Sequence, residues 1–416
     1  MRTRLTWIVA ILALVSIGVL MACGTKYSSS ANGLVVVPSQ GSAVMESFSL
    51  DLANGHVTPI NNVNGPPTPG LPQAVILDPA GDFAYVIVQQ NAAVNASVTG
   101  IASFQIASDG KLSLVGTVQM TNPVAIAMDS AGKLLFVANG IEGTVSVFSI
   151  GSGGTLTEVA GSPFPLPMPM GGQFPVASAV AVTPTVYPVE FAYCSGFTPP
   201  TTENLYVTDA INYLILNFKV DPSAGTLMQV PVSPGVPGLA TGSVPSGVAV
   251  DPCNRFLYVS NTGPGSNANT VSAYTICSAV NLVSQPQNCG SPPDFSLHPV
   301  TATPYVAGDN PGPLAVDAYG AFLYVVDTGS SQISSFRMSP TTGALTALSP
   351  AFVNTGLEPN SIAIRSDDSF MFVANAGSAT VGAQTISEYA ITPSTGQLTP
   401  LPLVSTFNNP SGVAVK

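Results

Sequence analysis

The chain has 416 residues and a formal net charge of −11, with 7% charged residues, 39 glycines and 38 prolines. A single simple core stops growing near about 250–300 residues, so this length predicts two domains or a repeat architecture. The glycine and proline content favours short strands and turns over long helices. An acidic chain with 10 Lys and Arg residues is not expected to bind nucleic acid.

Residues 1–22 are predicted to be a signal peptide. Arg2 and Arg4 precede an apolar run that is too short and too near the terminus for an expected membrane span. The run ends in Leu20–Gly24 (LMACG), which resembles a bacterial lipobox. The resemblance implies cleavage before Cys23, lipidation of Cys23, and a short polar tether over residues 23–32. The alternative is an ordinary cleaved signal followed by a chance cysteine.

A lipidated Cys23 predicts where the protein resides. Each buried CH₂ of an acyl chain contributes about 0.8 kcal/mol, so two or three chains hold a protein firmly to a bilayer. The residue after Cys23 is Gly24 and not Asp. In lipoproteins, a residue other than Asp at this position favours the outer membrane of a two-membrane cell. We expect a monomer in the cell envelope, anchored in the outer membrane, the periplasm or at the cell surface. Its expected partners are the membrane, an envelope protein or a small polar ligand.

Residues 33–416 contain two strand motifs, each present seven times. The first motif begins with proline, which one copy has lost, and ends in an apolar strand. Its copies are Pro72–Asp78, Pro123–Asp129, Ala177–Pro184, Pro245–Asp251, Pro311–Asp317, Pro359–Arg365 and Pro410–Lys416. The second motif is aromatic and β-branched. Its copies are Leu34–Gln40, Phe83–Gln89, Leu134–Asn139, Asn204–Asp209, Phe256–Asn261, Phe322–Asp327 and Phe370–Asn375.

A hairpin with a glycine-containing turn follows the second motif, so each unit has four strands. Seven such units predict an all-β, seven-bladed β-propeller with four antiparallel strands per blade. Two units carry insertions, at Thr183–Glu203 and Gly263–Pro311. The chain starts with a second-type strand and ends with a first-type strand. We therefore expect Val413–Val415 to pair with Val35–Val37 and close the ring.

Three strand ends resemble YVTN-type propeller repeats: Leu205–Asp209, Leu257–Asn261 and Leu323–Asp327. The layout of residues 33–416 resembles the lactonase-type seven-bladed propellers, which include 6-phosphogluconolactonase. The resemblance implies this fold for the whole mature chain and makes lactone hydrolysis a candidate activity.

The catalytic pattern of that family is not matched. Its enzymes carry a histidine in HPH-like segments, where this chain has Asn122-Pro123-Val124, and an arginine in SNRG-like segments, where it has Asn261-Thr262-Gly263. His56 falls in a predicted hairpin turn and His298 in an inserted loop or outer strand. Lactone hydrolysis needs a general base near a group that stabilises an oxyanion. We therefore predict no catalytic residues, no metal and no cofactor.

Polar residues at the ends of the second strands are expected to ring one mouth of the central channel: Asn139, Asp209, Asn261, Asp327 and Asn375. Oxygen-rich rings suit hard cations or hydroxylated ligands, which makes them candidate ligand-binding residues. The alternative is that each side chain caps its own turn. The acidic residues that end the first strands, such as Asp78 and Asp317, are expected to be turn formers.

The four remaining cysteines lie in the two units with insertions. We predict disulfides Cys194–Cys253, between neighbouring blades, and Cys277–Cys289, across one hairpin. A zinc site is the alternative, although no CxxC spacing supports it.

The favoured function is a lipid-anchored binding or scaffold module outside the cytoplasm. A lactonase-like hydrolase with a non-standard site is one alternative. A cell-surface adhesion or S-layer-like protein is the other.

Overall fold

Seven antiparallel sheets account for the strands of the computed structural model, which describes residues 32–60, 65–91, 98–185, 202–265, 267–278, 294–301, 303–377, 384–406 and 409–416. The predicted leader and Cys23 lie outside the described residues. No helix among the described residues is long and apolar enough to cross a membrane. Each sheet is one blade of a seven-bladed propeller, so the predicted all-β fold class is confirmed.

The first four blades are built as follows. Blade 1 contains β1 (Asn32–Ser39), β2 (Val44–Asp51), β3 (Val57–Pro59) and the C-terminal strand β32 (Ala414–Val415). Blade 2 contains β4 (Leu71–Leu77), β5 (Phe83–Gln89), β6 (Gly100–Ile106) and β7 (Leu112–Gln119). Blade 3 contains β8 (Pro123–Met128), β9 (Leu134–Asn139), β10 (Thr144–Ile150), β11 (Leu156–Glu158) and β12 (Phe164–Pro165). Blade 4 contains β13 (Ala177–Val182), β14 (Glu203–Asp209), β15 (Leu214–Val220), β16 (Leu227–Gln229) and β17 (Gly238–Ala240).

The last three blades follow the same order. Blade 5 contains β18 (Pro245–Val250), β19 (Phe256–Asn261), β20 (Thr270–Ile276), β21 (Leu297–Pro299) and β22 (Tyr305–Val306). Blade 6 contains β23 (Pro311–Val316), β24 (Phe322–Asp327), β25 (Gln332–Met338) and β26 (Leu345–Asn354). Blade 7 contains β27 (Pro359–Ile364), β28 (Phe370–Asn375), β29 (Thr385–Ile391), β30 (Leu398–Pro400) and β31 (Val404–Ser405).

The innermost strands of the blades form a closed ring around a central channel. Taken in order, β4, β8, β13, β18, β23, β27 and β32 each contact the next, and β32 contacts β4. Val35 and Val36 pair antiparallel with Val415 and Ala414. This pairing agrees with the expected union of the two chain ends in one blade, and it leaves β1 without an open inner edge.

The outer strand is less regular than the sequence predicts. In blades 3, 4, 5 and 7 two short strands pair with the third strand in place of one long outer strand. A proline lies in each interruption: Pro163, Pro231, Pro304 and Pro402. Proline has no N–H to donate to the ladder, so the outer strand breaks there and resumes beyond it.

The hydrophobic core lies between blades. Seven clusters of buried residues each join two neighbouring blades, and together they cover all seven interfaces. Between blades 5 and 6, for example, the buried Phe256 and Tyr258 pack with Leu323, Val325 and Phe336. The second strand of each blade is apolar on both faces, because it lies between two packed neighbours.

Candidate functional site

The inner strands begin at one end of the channel, which we call the entry mouth. There the residue after the entry position donates a hydrogen bond to a carbonyl of the next blade. Ser178 Oγ donates to Pro245 O at 2.6 Å, and Ser246 Oγ donates to Pro311 O at 2.7 Å. Asn360 Nδ2 and Ser411 Oγ make the equivalent bonds to Pro410 O at 2.9 Å and Pro72 O at 2.6 Å. Polar groups at the entry mouth therefore hold adjacent blades together.

The side chains predicted to ring this mouth belong to the second strands, which lie one strand further from the channel than the inner strands. All five are buried, and each belongs to a second strand that pairs with the start of its inner strand: Asn139, Asp209, Asn261, Asp327 and Asn375. Their ligand-binding role stays a prediction.

The three asparagines brace their own blades in the same way. Asn375 Nδ2 donates to Thr385 Oγ1 at 3.1 Å and to Ser387 Oγ at 2.9 Å. Asn139 and Asn261 make the same pair of contacts to a threonine and a serine of the following strand. These contacts run to side chains of the following strand, whereas the alternative in the sequence is a cap on the backbone of the residue's own turn. The signal for these contacts is a T-x-S pattern at the start of the third strand.

The two aspartates of the set differ from each other. Asp209 Oδ1 accepts N–H groups from Val176 and Ile211, both at 3.1 Å, so it joins its turn to the start of the inner strand. Asp327 Oδ2 accepts from Ser334 Oγ at 2.6 Å, whereas its Oδ1 has no hydrogen-bond partner among the described residues. Burial raises the pKa of Asp327 to about 7. Asp327 therefore changes charge near neutral pH.

A cavity of about 410 Å³ lies at the other end of the channel, where the inner strands end. Its wall is aliphatic, with Val75, Leu77, Ile364 and Val413 among the lining residues. Its polar lining groups are Asp78, Ser366 and Lys416. Asp78 Oδ1 also accepts the N–H groups of Asp82 at 2.7 Å and Phe83 at 2.6 Å, so its expected role as a turn former is confirmed.

The turns near this end hold several buried acids. Asp251 forms a buried two-point ion pair with Arg255, from Nε at 2.9 Å and NH2 at 2.6 Å. Burial raises the pKa of Asp317 to about 7. Burial likewise raises the pKa of Glu203 to about 7, with a smaller contribution from the charge of Asp129. Within the described residues, no three His, Cys, Asp or Glu side chains are grouped so as to hold a metal ion.

Both histidines lie away from the channel. His56 is in the hairpin between β2 and β3, and His298 is in the outer strand β21. Cys253 and Cys277 are fully buried and each is disulfide-bonded. Cys194 and Cys289, their predicted partners, lie outside the described residues, so the two pairings stay predictions.

The structure contains two notable buried residues, Glu388 and Phe295, that the sequence did not predict. Glu388 in β29 is 1% exposed, and neither of its carboxylate oxygens has a hydrogen-bond partner among the described residues. Burial raises its pKa to about 8. Phe295, just before β21, has a φ of 56°, a backbone conformation that is strained for an aromatic residue. The only sequence signal for Glu388 is a carboxylate in the middle of a predicted strand. Nothing in the sequence indicates the conformation of Phe295.

Known proteins show the same architecture. The putative 6-phosphogluconolactonase of Bacteroides fragilis superposes with a TM-score of 0.70 at 18% identity, over 94% of this chain and 99% of that chain. The periplasmic gluconolactonase of Pseudomonas aeruginosa gives 0.68 at 18% identity, over 92% of this chain and 99% of that one. At this identity the likeness shows the fold alone.

No curated protein matches the sequence. A family model described as a lactonase, 7-bladed beta-propeller, matches residues 26–163 and 296–388, which is more than half of the chain. The chain therefore belongs to the lactonase family of seven-bladed β-propellers.

Proposed function

We propose that this chain is a lipid-anchored binding module outside the cytoplasm, and that it takes up a small ligand at the far end of its central channel. The cavity of about 410 Å³ carries the proposal. Small-molecule sites combine a mostly apolar wall with a few polar groups that fix orientation. The aliphatic wall and the polar lining formed by Asp78, Ser366 and Lys416 match a ligand with an apolar body and one hydroxylated head group.

The placement of the polar residues favours binding over hydrolysis. Opening a lactone requires a base within reach of the attacking water and a donor for the oxyanion. His56 and His298 are both outside the channel, and the amide nitrogens of the asparagines behind the entry mouth donate within their own blades. The residues that line the far cavity are better suited to hold a molecule than to cleave it.

Blocking the cavity tests the proposal. Ser366→Trp should fill the cavity, whereas Ser394→Trp places the same side chain on the exposed outer hairpin of the same blade. Native mass spectrometry of protein isolated from its own cells should show a small molecule bound to the wild type and to Ser394→Trp. The molecule should be absent from Ser366→Trp. Absence from all three proteins, or retention by Ser366→Trp, would contradict a channel site.

The membrane anchor is tested separately. A full-length chain lipidated at Cys23 should incorporate labelled palmitate and partition into the detergent phase of a Triton X-114 extract. Cys23→Ala should do neither and should be released in soluble form. Equal partitioning of the two proteins would reject the anchor without affecting the channel proposal.

A lactonase is the second candidate. Family membership supports it, as do the names of the two similar structures. Asp327, with a pKa of about 7, has the protonation behaviour of a general base at neutral pH, although it is fully buried. Titrimetric measurement of sugar-lactone hydrolysis should show turnover that Asp327→Asn abolishes and Asp221→Asn, an exposed turn aspartate, preserves. Hydrolysis at the spontaneous rate would reject this candidate.

A further inference from the structure

Two positions before the outer strand, every blade has a residue with a positive φ. In six blades this residue is glycine: Gly55, Gly110, Gly154, Gly225, Gly343 and Gly396. In blade 5 it is Phe295. A bulky residue in the left-handed region is strained and persists only when its surroundings hold it there. The interface between blades 4 and 5 is therefore built differently from the others.

The other half of this interface differs as well. Phe256 and Phe322 begin their second strands, and their rings pack against Gly343 and Gly396 of the next blade. Asn204 takes the place of that aromatic residue in blade 4. Its Nδ2 donates to Asn217 Oδ1 at 2.7 Å, and Asn217 Nδ2 donates to Phe295 O at 3.0 Å. In this interface the aromatic ring, Phe295, belongs to blade 5 and not to blade 4. Asn204 and Asn217 together form a hydrogen-bonded chain that ends on the Phe295 carbonyl.

The residues on either side of Phe295 form a polar edge. Asp294 Oδ1 accepts from Ser296 N at 3.0 Å and from Ser296 Oγ at 2.8 Å. His298 Nε2 lies 3.3 Å from Ser296 Oγ. Because the Ser296 hydroxyl already donates to Asp294, the imidazole donates its N–H to Ser296. The Asp294 carboxylate is exposed, and none of the ion pairs between described residues involves it.

This edge is one side of a pocket of about 250 Å³ between blades 4 and 5. The opposite wall is apolar and includes Ile215, Val230, Val232 and Leu239. The pocket is separate from the channel, because its walls come from the third and outer strands.

We infer that this pocket is a second binding site, and that it takes a small amphipathic amine. The ammonium group contacts Asp294, and the hydrocarbon part lies against Val232 and Leu239. A carboxylate beside an aliphatic wall complements such a cation, since a charge-assisted hydrogen bond is stronger than a neutral one. The inference does not depend on the channel ligand, because the two sites share no residue.

Calorimetric titration with n-hexylamine, and with 1-hexanol as the uncharged analogue, tests the site. Hexylamine should bind the wild type at least tenfold more tightly than hexanol, the ratio expected for one charge-assisted hydrogen bond. Asp294→Asn should weaken hexylamine binding about tenfold. Asp221→Asn is the matched control, because Asp221 caps Ser223 with the same two bonds but lies outside this pocket, and it should leave binding unchanged.

The apolar wall gives a second, independent variant. Val232→Ser removes apolar surface, and about 1 kcal/mol of lost burial corresponds to roughly fivefold weaker binding of both ligands. Equal affinity for hexylamine and hexanol would overturn the proposal. So would equal effects of Asp294→Asn and Asp221→Asn, or wild-type affinity in Val232→Ser.

Discussion

The interface between blades 4 and 5 and the one between blades 5 and 6 solve the same packing problem in opposite ways. Between blades 5 and 6, Phe256 packs on Gly343, and the Tyr258 hydroxyl donates to Gly343 O at 2.9 Å. Between blades 4 and 5, Asn204 is linked to Phe295 O through Asn217, and the Tyr206 hydroxyl donates to Phe295 O at 3.0 Å. Both interfaces contain the bond from a tyrosine to the turn carbonyl. The aromatic ring comes from the second strand of the earlier blade in one interface (Phe256) and from the turn of the later blade in the other (Phe295).

This comparison separates what the propeller requires from what it tolerates. A buried hydroxyl must find an acceptor, so the bond from tyrosine to the turn carbonyl is kept. Volume can be supplied from either side of the interface, so the aromatic ring can change blades. In the interface between blades 4 and 5, the residues on either side of Phe295, Asp294 and Ser296, line a pocket.

The largest expected effect lies in the interface between blades 5 and 6. Besides Asp251, Arg255 NH2 contacts Gly320 O of blade 6 at 3.0 Å. Arg255→Met leaves Asp251 buried without its partner, which should cost about 3–5 kcal/mol of unfolding free energy in urea. Arg337→Met is the matched control, because Arg337 is exposed and lies over the Phe322 ring at 4.8 Å. Its expected loss is below about 1 kcal/mol, and equal losses would contradict the ranking.

The next effect tests the exchange itself. Phe295→Gly restores the common turn residue but leaves a void in the buried cluster between blades 4 and 5, at an expected cost of about 2–4 kcal/mol. The double variant Asn204→Phe with Phe295→Gly copies the interface between blades 5 and 6. It should recover at least half of the loss in chemical denaturation. If the double variant loses as much unfolding free energy as Asn204→Phe and Phe295→Gly lose in sum, the two positions are not coupled.

A smaller effect is expected when a side chain is added to the common turn. A Cβ built on Gly343 would lie 2.4 Å from Phe256 Cδ1, and the φ of Gly343 is 71°. Gly343→Ala should lower the unfolding free energy by about 1–3 kcal/mol. Gly116→Ala is the control, because a Cβ there meets nothing within 4 Å. Comparable stability of the two variants would remove the steric reason for glycine in six of the turns.

The smallest effect concerns the interface between blades 7 and 1. Glu388 lies opposite Phe372, whose ring packs with Val37 and Phe48 of blade 1. Burial raises its pKa from 4.5 to about 8, so the folded state binds its proton more tightly than the unfolded state. The stability from this group is complete below pH 4.5 and is lost as the pH rises towards 8.

Buried Glu203, Asp317 and Asp327 act in the same direction, with pKa values of about 7. The wild type should therefore melt at a higher temperature at pH 5 than at pH 8. Glu388→Gln should stabilise the protein relative to the wild type at pH 8, and much less at pH 5. A melting temperature that does not change with pH, or the same gain at both values, would contradict the assignment.

Sequence periodicity predicts the blades because each one repeats a short alternation of strand and turn. The pairing of Val35 with Val415 agrees with an expectation based only on the order of strand types at the two ends. The partners of Asn139 and Asn375 could not be predicted with certainty, because the same side chains suit either a ligand or a turn. The left-handed conformation of Phe295 has no local signature, since it depends on the packing of Asn204, Asn217 and Tyr206 around it.

The most direct test of the central claim, binding in the channel without hydrolysis, is calorimetric titration of the mature protein with gluconolactone. Binding without turnover gives heat that saturates with added ligand, and no interaction gives no heat. Turnover gives a steady heat flow in proportion to protein concentration. We predict no steady heat flow above spontaneous hydrolysis. A steady heat flow that persists in Ser394→Trp and disappears in Ser366→Trp would show that the channel is an active site, and would contradict the account.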